Sequence, residues 1–530
     1  MRRLISFIVA LLFFSASFAQ VDVTWGNRFY DILEDCQDAK IVMEDYQGYY
    51  MWYLLNEYKG NGEYELKYYM AKLDKEKNIQ KIYRMDFGHP SFKIEYSWQS
   101  GELIGFVLSR ISQDKEDNKK KKSSQKQSQN ITTGKANLYY QFFHTQDMRL
   151  VGDRPEKFKT YNYFSIEGQK PYLFKFSENN SFLSFAFLTN DSSSRAISFE
   201  VYDNKMRLLW EKKHKLNIQN DGFLVRDIAV SNDGLRGLIG INSFSLAKKK
   251  LNTDGKIHLI WLNEYEERTY QEQLDKAWAT DLKCAFFNEE DYLIAGYYSI
   301  SDDYPLLAAG SFSFSYDNRR GYKKNSSIKE FKEYENDDDV YSTNKELPIP
   351  SDMVAEIDYI YPMVGGNCIL IGEQRYASKI IPPKRRGEKP TGENADFYRD
   401  IIITNVDKTG YITGSTYIPK RQKTYQGSNQ YNSYALTRDR YGIYLMFNDH
   451  QDNYKGNRFV AKRNYNSDKL RTQVNFVQIY GDGSWRWHEV YNSKINKMPF
   501  YKTIFLTKDK EVLFLSHYRD NNIIGSIGTR

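Results

Sequence analysis

The chain has 530 residues, of which 27% are charged and 16% aromatic, including 44 tyrosines and 32 phenylalanines. So aromatic a composition excludes a disordered chain, and its richness in Tyr, Phe, Ile and Val favours strands. A formal net charge of +7 is a mild excess for this length and does not imply nucleic acid, and three cysteines are too few for a disulfide framework.

In chain order, Arg2 and Arg3 precede an apolar run from Leu4 to Phe14, and Ser17-Phe18-Ala19 offers small residues at the two positions a signal peptidase reads. This pattern predicts a secretory signal over residues 1–19, cut after Ala19 to leave Gln20 at the mature N-terminus. The protein is therefore expected to be exported, to the periplasm or the outer membrane, and export argues further against nucleic acid. The apolar run is shorter than the ~20 residues a membrane helix needs, and no later stretch approaches that length, so the mature chain is expected to carry no transmembrane span.

The rest of the chain repeats itself. The unit is an alternating strand, a polar turn and a more apolar strand. Its clearest copy is Tyr172 to Phe176, the turn Ser177-Glu178-Asn179-Asn180, and Phe182 to Phe187. Other copies run from Phe223, through Ser231-Asn232-Asp233-Gly234, to Ile241, and from Ile357, through Val364-Gly365-Gly366-Asn367, to Ile371. A second hairpin follows most of them, as in Phe199 to Tyr202, Asp203-Asn204-Lys205, and Arg207 to Trp210. Asn, Asp and Gly in the turns are what hairpins need. Together the two hairpins make four strands, A to D. Successive A strands are expected near residues 41, 92, 172, 223, 281, 357, 431 and 501. Four strands at such a period mark the blades of a β-propeller, here of seven or eight four-stranded blades in a single domain over residues 20–530. The last copy has room for three strands, so Val23-Thr24-Trp25 is expected to complete it, which makes eight blades. An outer-membrane barrel would alternate lipid-facing and lumen-facing residues, whereas each B strand here is nearly continuously apolar. Cys284 and Cys368 lie in such strands and read as small core residues.

The run Phe176-Ser177, Leu183 to Leu188, Phe199 to Asp203, Leu209 to Lys212, Asp227 to Val230 and Asp233-Gly234 resembles exported β-propeller proteins of Bacteroidota, as does the signal ending Ser17-Phe18-Ala19-Gln20. The resemblance is good over residues 165–240 and faint elsewhere. It implies a fold and a compartment and says little about activity.

Long insertions are expected at about residues 112–135 and 377–396, between B and C strands, and at 325–351, between a D strand and the next A strand. B–C and D–A connections emerge on one side of a propeller. The first insertion holds Lys119, Lys120, Lys121 and Lys122, the B–C connection of the fourth blade holds Lys248, Lys249 and Lys250, and the 377–396 insertion holds Lys384, Arg385 and Arg386. These ten cations on one predicted face are candidates for docking an acidic protein partner or an anionic envelope surface.

No sequence pattern points to catalysis, a cofactor or a metal. The seven histidines sit in no zinc pattern, and no nucleophile elbow, phosphate loop or dinucleotide fingerprint occurs. Tyr480-Gly481-Asp482-Gly483-Ser484-Trp485 has the look of a sialidase Asp-box but lacks its leading Ser and reads as a plain hairpin. The expected function is a non-enzymatic interaction or scaffold module of the cell envelope, specifically an accessory subunit of an outer-membrane secretion or gliding complex. The alternative is a carbohydrate-active hydrolase or lyase whose carboxylates, drawn from several blades, meet at the axis.

Overall fold

The computed structural model describes residues 23–28, 36–60, 63–113, 131–166, 172–191, 194–216, 222–244, 255–287, 291–300, 308–331, 354–378, 395–425, 431–439, 441–455, 458–459, 465, 471–492, 499–518 and 521–529. They form an eight-bladed propeller of four-stranded antiparallel blades. Blade 1 is Cys36–Glu44, Tyr49–Gly60, Glu63–Leu73 and Ile79–Met85; blade 2 is Lys93–Ser100, Leu103–Gln113, Ile131–His144 and Glu156–Ile166. Blade 3 is Tyr172–Phe176, Phe182–Asp191, Ser194–Asp203 and Leu208–Lys215; blade 4 is Gly222–Val230, Arg236–Phe244, Lys256–Asn263 and Glu267–Gln273. Blade 5 is Trp278–Phe286, Asp291–Ser299, Gly310–Asp317 and Lys323–Glu330; blade 6 is Val354–Pro362, Cys368–Ser378, Ala395–Val406 and Ile412–Ile418. Blade 7 is Ala435–Arg438, Gly442–His450, Thr472–Tyr480 and Trp485–Asn492. Blade 8 takes Phe500–Leu506, Glu511–Tyr518 and Asn521–Gly528 from the C-terminus and Val23–Trp25 from the N-terminus.

The burial pattern explains the sequence pattern. B strands are sandwiched between neighbouring blades: Asp291–Ser299 and Gly442–His450 are buried at every residue. D strands lie on the rim, and Glu267–Gln273 accordingly alternates exposed and half-buried. The cores sit between blades. Phe199 and Trp210 of blade 3 pack with Ile228 and Ile239 of blade 4, and Phe476 and Tyr491 of blade 7 with Val512 and Phe514 of blade 8. Cys36, Cys284 and Cys368 are buried, unpaired thiols. Tryptophans add a polar tie across the seams. The indole of Trp210 donates to Gly234 O at 2.7 Å, and that of Trp98 to Asn204 O at 3.0 Å. Gly234 has φ 73°, and a Cβ there would lie 2.6 Å from the Phe182 ring, so only glycine fits this turn against its neighbour.

The ring closes as its sequence predicts. Val23 pairs with Ile527, Thr24 with Ser526 and Trp25 with Gly525. The Trp25 ring stands 5.4 Å from those of Tyr491 and Phe514, so it packs on blade 7 as well as blade 8.

Three details differ from expectation. Tyr431 to Ser433 form a turn, not the start of an A strand, because Ser433 takes φ 66° and delays the strand to Ala435. The insertions are shorter than predicted, since Lys323–Glu330, Ile131–Lys135 and Ala395–Asp396 belong to strands. B–C connections are also not uniformly long. In blades 1, 3 and 8 the B and C strands, which end and begin at Gly60 and Glu63, Asp191 and Ser194, and Tyr518 and Asn521, are separated by two residues each.

Trp25→Ala removes an aromatic anchor from the closing strand and should lower stability by about 2–3 kcal/mol. Urea unfolding should show one transition moved to lower urea, because every blade shares the loss.

Candidate functional site

The central channel is lined by the A strands, and these carry β-bulges in six blades, at Cys36/Asp38, Ile94/Tyr96, Val225/Asp227, Ala279/Asp281, Ile357/Tyr359 and Tyr501/Ile504. A bulge re-aims side chains. At or beside these bulges stand Asp38, Glu95, Asp227, Asp281, Asp358 and Lys502. Some serve the ring itself. Asp227 of blade 4 receives Lys175 Nζ of blade 3 at 2.8 Å and Cys284 N of blade 5 at 2.9 Å. Asp281 receives Ile357 N of blade 6 at 2.8 Å. Burial raises the Asp281 carboxyl above the usual range, although Lys283 and Arg226 oppose it.

The channel is bridged part-way along. Arg438 of blade 7 pairs with Glu178 of blade 3 across the axis, and its guanidinium lies 4.2 Å from the centroid of Tyr361. Tyr361 stacks on Tyr359 at 5.4 Å, and Tyr96 stacks on Phe176 at 5.1 Å. On the A–B turn side of this septum is a cavity of about 950 Å³ that includes Asn180, Asp233, Arg236, Arg319 and Val364. On the other side is a cavity of about 290 Å³ that includes Asp38, Lys40, Glu95, Tyr96, Tyr359 and Lys502. No residue lines both.

Blades 6 and 7 build a buried charged wall beside the smaller cavity. Arg375 fans onto three carboxylates, Glu373 at 2.7 Å, Glu356 at 3.0 Å and Asp358 at 2.8 Å. Lys420 pairs with Glu373 where neither side chain meets solvent. Burial pushes the Glu373 carboxyl up, but Lys420 and Arg375 outweigh it and hold the group below the usual range. Tyr434 Oη donates to Asp358 at 2.7 Å, and Ser433 Oγ to Glu373 at 2.6 Å. Asp449 lies deeper. Burial pushes its carboxyl up to about 7, although His450 N, Asn453 Nδ2 and Tyr454 Oη all donate to it.

The predicted basic residues Lys119 to Lys122, Lys248 to Lys250, and Lys384 to Arg386 lie outside the described residues. The strands on either side of them are described. Gln113 pairs with Gly134, Ser243 with Lys256 and Ser378 with Ala395. The face of the A–B and C–D turns is trimmed but not bland. Tyr46, Tyr265, Tyr322, Tyr411 and Tyr441 are exposed on its turns. Asp482 caps its own hairpin through Ser484 N at 2.9 Å, with Gly483 at φ 82°, as a plain turn requires. Sequence reasoning missed the channel wall. Its one signal is charge inside apolar strands, at Glu373 in Cys368–Ser378 and Asp281 in Trp278–Phe286. Among the described residues no group of three or more His, Cys, Asp or Glu could hold a metal ion, and no helix is long and apolar enough to cross a membrane.

No family model and no curated protein matches the chain. Solved structures match it only distantly. Prolyl oligopeptidase B from Galerina marginata aligns at 9% identity and a TM-score of 0.38 over 92% of this chain and 56% of its own. A prolyl endopeptidase aligns at 10% and 0.34, over 92% and 54%. The WD40 domain of SCAP from fission yeast aligns at 8% and 0.33, over 96% and 98%. The chain thus spans about half the length of the two peptidases.

Two outcomes are expected of the wall. Arg375→Met strands Glu373, Asp358 and Glu356 together and should cost about 3–5 kcal/mol in urea unfolding. Asp449 has a folded value above its ordinary 3.8. Its contribution to stability is therefore full below that value and is lost as pH rises through about 7. Asp449→Asn stays neutral throughout. Between pH 5 and 8 the variant should lose less stability than the parent, by at most about 3 kcal/mol, and pH-dependent calorimetry reads the difference.

Proposed function

We propose that this propeller is a non-enzymatic interaction module, exported to the cell envelope, which binds an acidic protein partner through the basic insertions of its B–C face. What supports this reading is the sequence position of the three basic runs, each between the B and C strands of a different blade. Gln113, Phe244 and Ser378 end B strands of three different blades, and Ile131, Lys256 and Ala395 begin the C strands that follow. Cations clustered on one face would steer and hold an acidic partner mainly through long-range attraction. The specific form we favour is an accessory subunit of an outer-membrane secretion or gliding complex, in keeping with the resemblance to exported Bacteroidota propellers.

The state of Glu373 supports binding over hydrolysis. A hydrolase or lyase needs a carboxyl poised to give or take a proton. Three carboxylates do converge, but on Arg375, which contacts Glu356, Asp358 and Glu373 at once. Lys420 takes the remaining side of Glu373. That arrangement ties the A and B strands of blade 6 together and leaves Glu373 charged.

Replacing Lys119 to Lys122, Lys248 to Lys250 and Lys384 to Arg386 by Ser should leave the melting temperature nearly unchanged, since exposed charges contribute little to fold stability. Affinity capture from native envelopes, read by mass spectrometry, should lose its main partner. Capture by the parent should fade as salt rises through ~0.15 M, where screening shortens to about 8 Å. Equal capture by the variant at low salt would move the working surface elsewhere, the tyrosine-tipped opposite face first. N-terminal sequencing of the envelope protein should begin at Gln20, and an intact Met1 would remove the export half of the reading.

A further inference from the structure

One glycine inside a strand has no reason in the fold. Gly414 lies in the D strand of blade 6, Ile412–Ile418, and its φ is outside the left-handed region. A Cβ built on it meets nothing within 4 Å. Other strand glycines are forced by a neighbour, as Gly237 is by the Phe199 ring and Gly525 by that of Phe514. Glycine weakens a strand, and where no neighbour requires it, it marks a place kept open for something else to approach.

The open place is a slot of about 280 Å³ between the C and D strands of blade 6 and the C–D turn of blade 7. Gly414 pairs with Asn405 and Thr416 with Ile403, so these four residues share one face of the sheet. Asp482, Gly483 and Ser484 form the other wall. Asn405 Nδ2 donates to Thr413 Oγ1 and to Asp482 O, each at 2.9 Å, and so fixes the two walls to each other. Gly483 allows that approach, since a Cβ there would lie 2.9 Å from Asn405 Cβ.

The lining restricts the ligand. Among the described residues it holds no lysine, arginine or histidine, so it does not attract an anion. Asp482 accepts from Ser484 N at 2.9 Å and Ser484 Oγ at 2.6 Å through Oδ1, which leaves Oδ2 as an acceptor. Those two bonds hold its carboxyl below the usual range, in the charged form at neutral pH. Thr416 Oγ1 accepts from Trp485 Nε1 at 3.2 Å and keeps its own proton to donate. A charged acceptor and a hydroxyl donor beside buried Ile403 suit a neutral ligand dense in hydroxyls. Exposed Tyr411 and Tyr480 each stand two residues from a lining side chain, Thr413 and Asp482. At this volume the slot is at the small end of ligand sites and holds one ring, not a chain.

We propose that this slot binds a single neutral hexose unit of a glycan, with hydroxyls on Asp482 Oδ2 and Thr416 Oγ1 and the ring in the space that Gly414 leaves open. The basic insertions take no part in it, and the test uses purified protein alone, so its failure is distinct from a failure of partner capture.

Saturation-transfer NMR titration of the full chain with the methyl glycosides of glucose, galactose and mannose, against glucuronate, tests it. At least one neutral glycoside should bind with a Kd of about 1 mM. Glucuronate should bind about tenfold more weakly or worse, because ionised Asp482 repels its carboxylate. Gly414→Leu places a side chain in the slot and should abolish binding with no fall in melting temperature, since nothing there must move. Asp482→Asn keeps the turn bonds through its side-chain oxygen and should weaken binding about tenfold. Should the leucine lower the melting temperature, Asp482→Asn decides alone. No binding of any neutral glycoside overturns the proposal, as does binding that Gly414→Leu or Asp482→Asn leaves unchanged. Equal binding of glucuronate overturns the assignment to a neutral sugar.

Discussion

The ring depends on a pairing of three residues. Val23, Thr24 and Trp25 supply the outer strand of the blade whose other strands come from the far end of the chain. Every other blade is formed from consecutive sequence and gains its burial from a neighbour on each side. Blade 8 has those neighbours only because the ring is shut. Trp25 makes that physical, since its ring touches Tyr491 of blade 7 and Phe514 of blade 8 together. A closed array of this kind has no terminal repeat to cap and no free B strand, and its stability is that of the weakest seam rather than a sum over independent blades.

Closure also fixes where polar groups are tolerated. An A strand is packed by its neighbours along its sides and faces the axis with the rest, so a bulge is the economical way to point a charge inward without breaking the strand. Asp227 and Asp281 show what such a charge does for the fold. Each carboxylate takes a backbone N–H of the following blade's A strand, Cys284 N in one case and Ile357 N in the other. The same device at Asp38 and Lys502 places charges in the lining of a cavity, whereas Glu95 accepts from Ser109 Oγ at 2.7 Å.

This difference explains which parts of the molecule were legible in the sequence. Hairpins are local. Ser231-Asn232-Asp233-Gly234 between two strands declares its turn in four consecutive residues, and Gly234 at φ 73° honours it. The count of eight followed from such turns, as did the closing strand, because the last repeat was visibly one strand short. Where the backbone did something unannounced, the reading slipped: Ser433 in a left-handed conformation moved an A strand from Tyr431 to Ala435. The channel was illegible for a different reason. Glu178 and Arg438 meet across 260 positions of sequence, and Arg375 and Tyr434 share Asp358 from two blades. Neither contact has a spacing that a motif could record. A lone charge in an apolar strand is a visible anomaly, but its partner depends on how the ring is closed.

The septum gives that geometry a consequence. A propeller whose axial charges all neutralised one another would have an inert axis, and most of these do: Lys175 with Asp227, Lys420 with Glu373, Arg438 with Glu178. These partners come from blades 3 and 4, from blade 6 and the segment after it, and from blades 7 and 3. At the junction of blades 8 and 1, Lys502 and Lys40 both line the smaller cavity of the channel. That junction is also the seam where the two ends of the chain are brought together, through the core shared by Ile41 and Tyr501. Closure that aligns Val23–Trp25 with the last blade also brings Lys40 and Lys502 into the lining of one cavity.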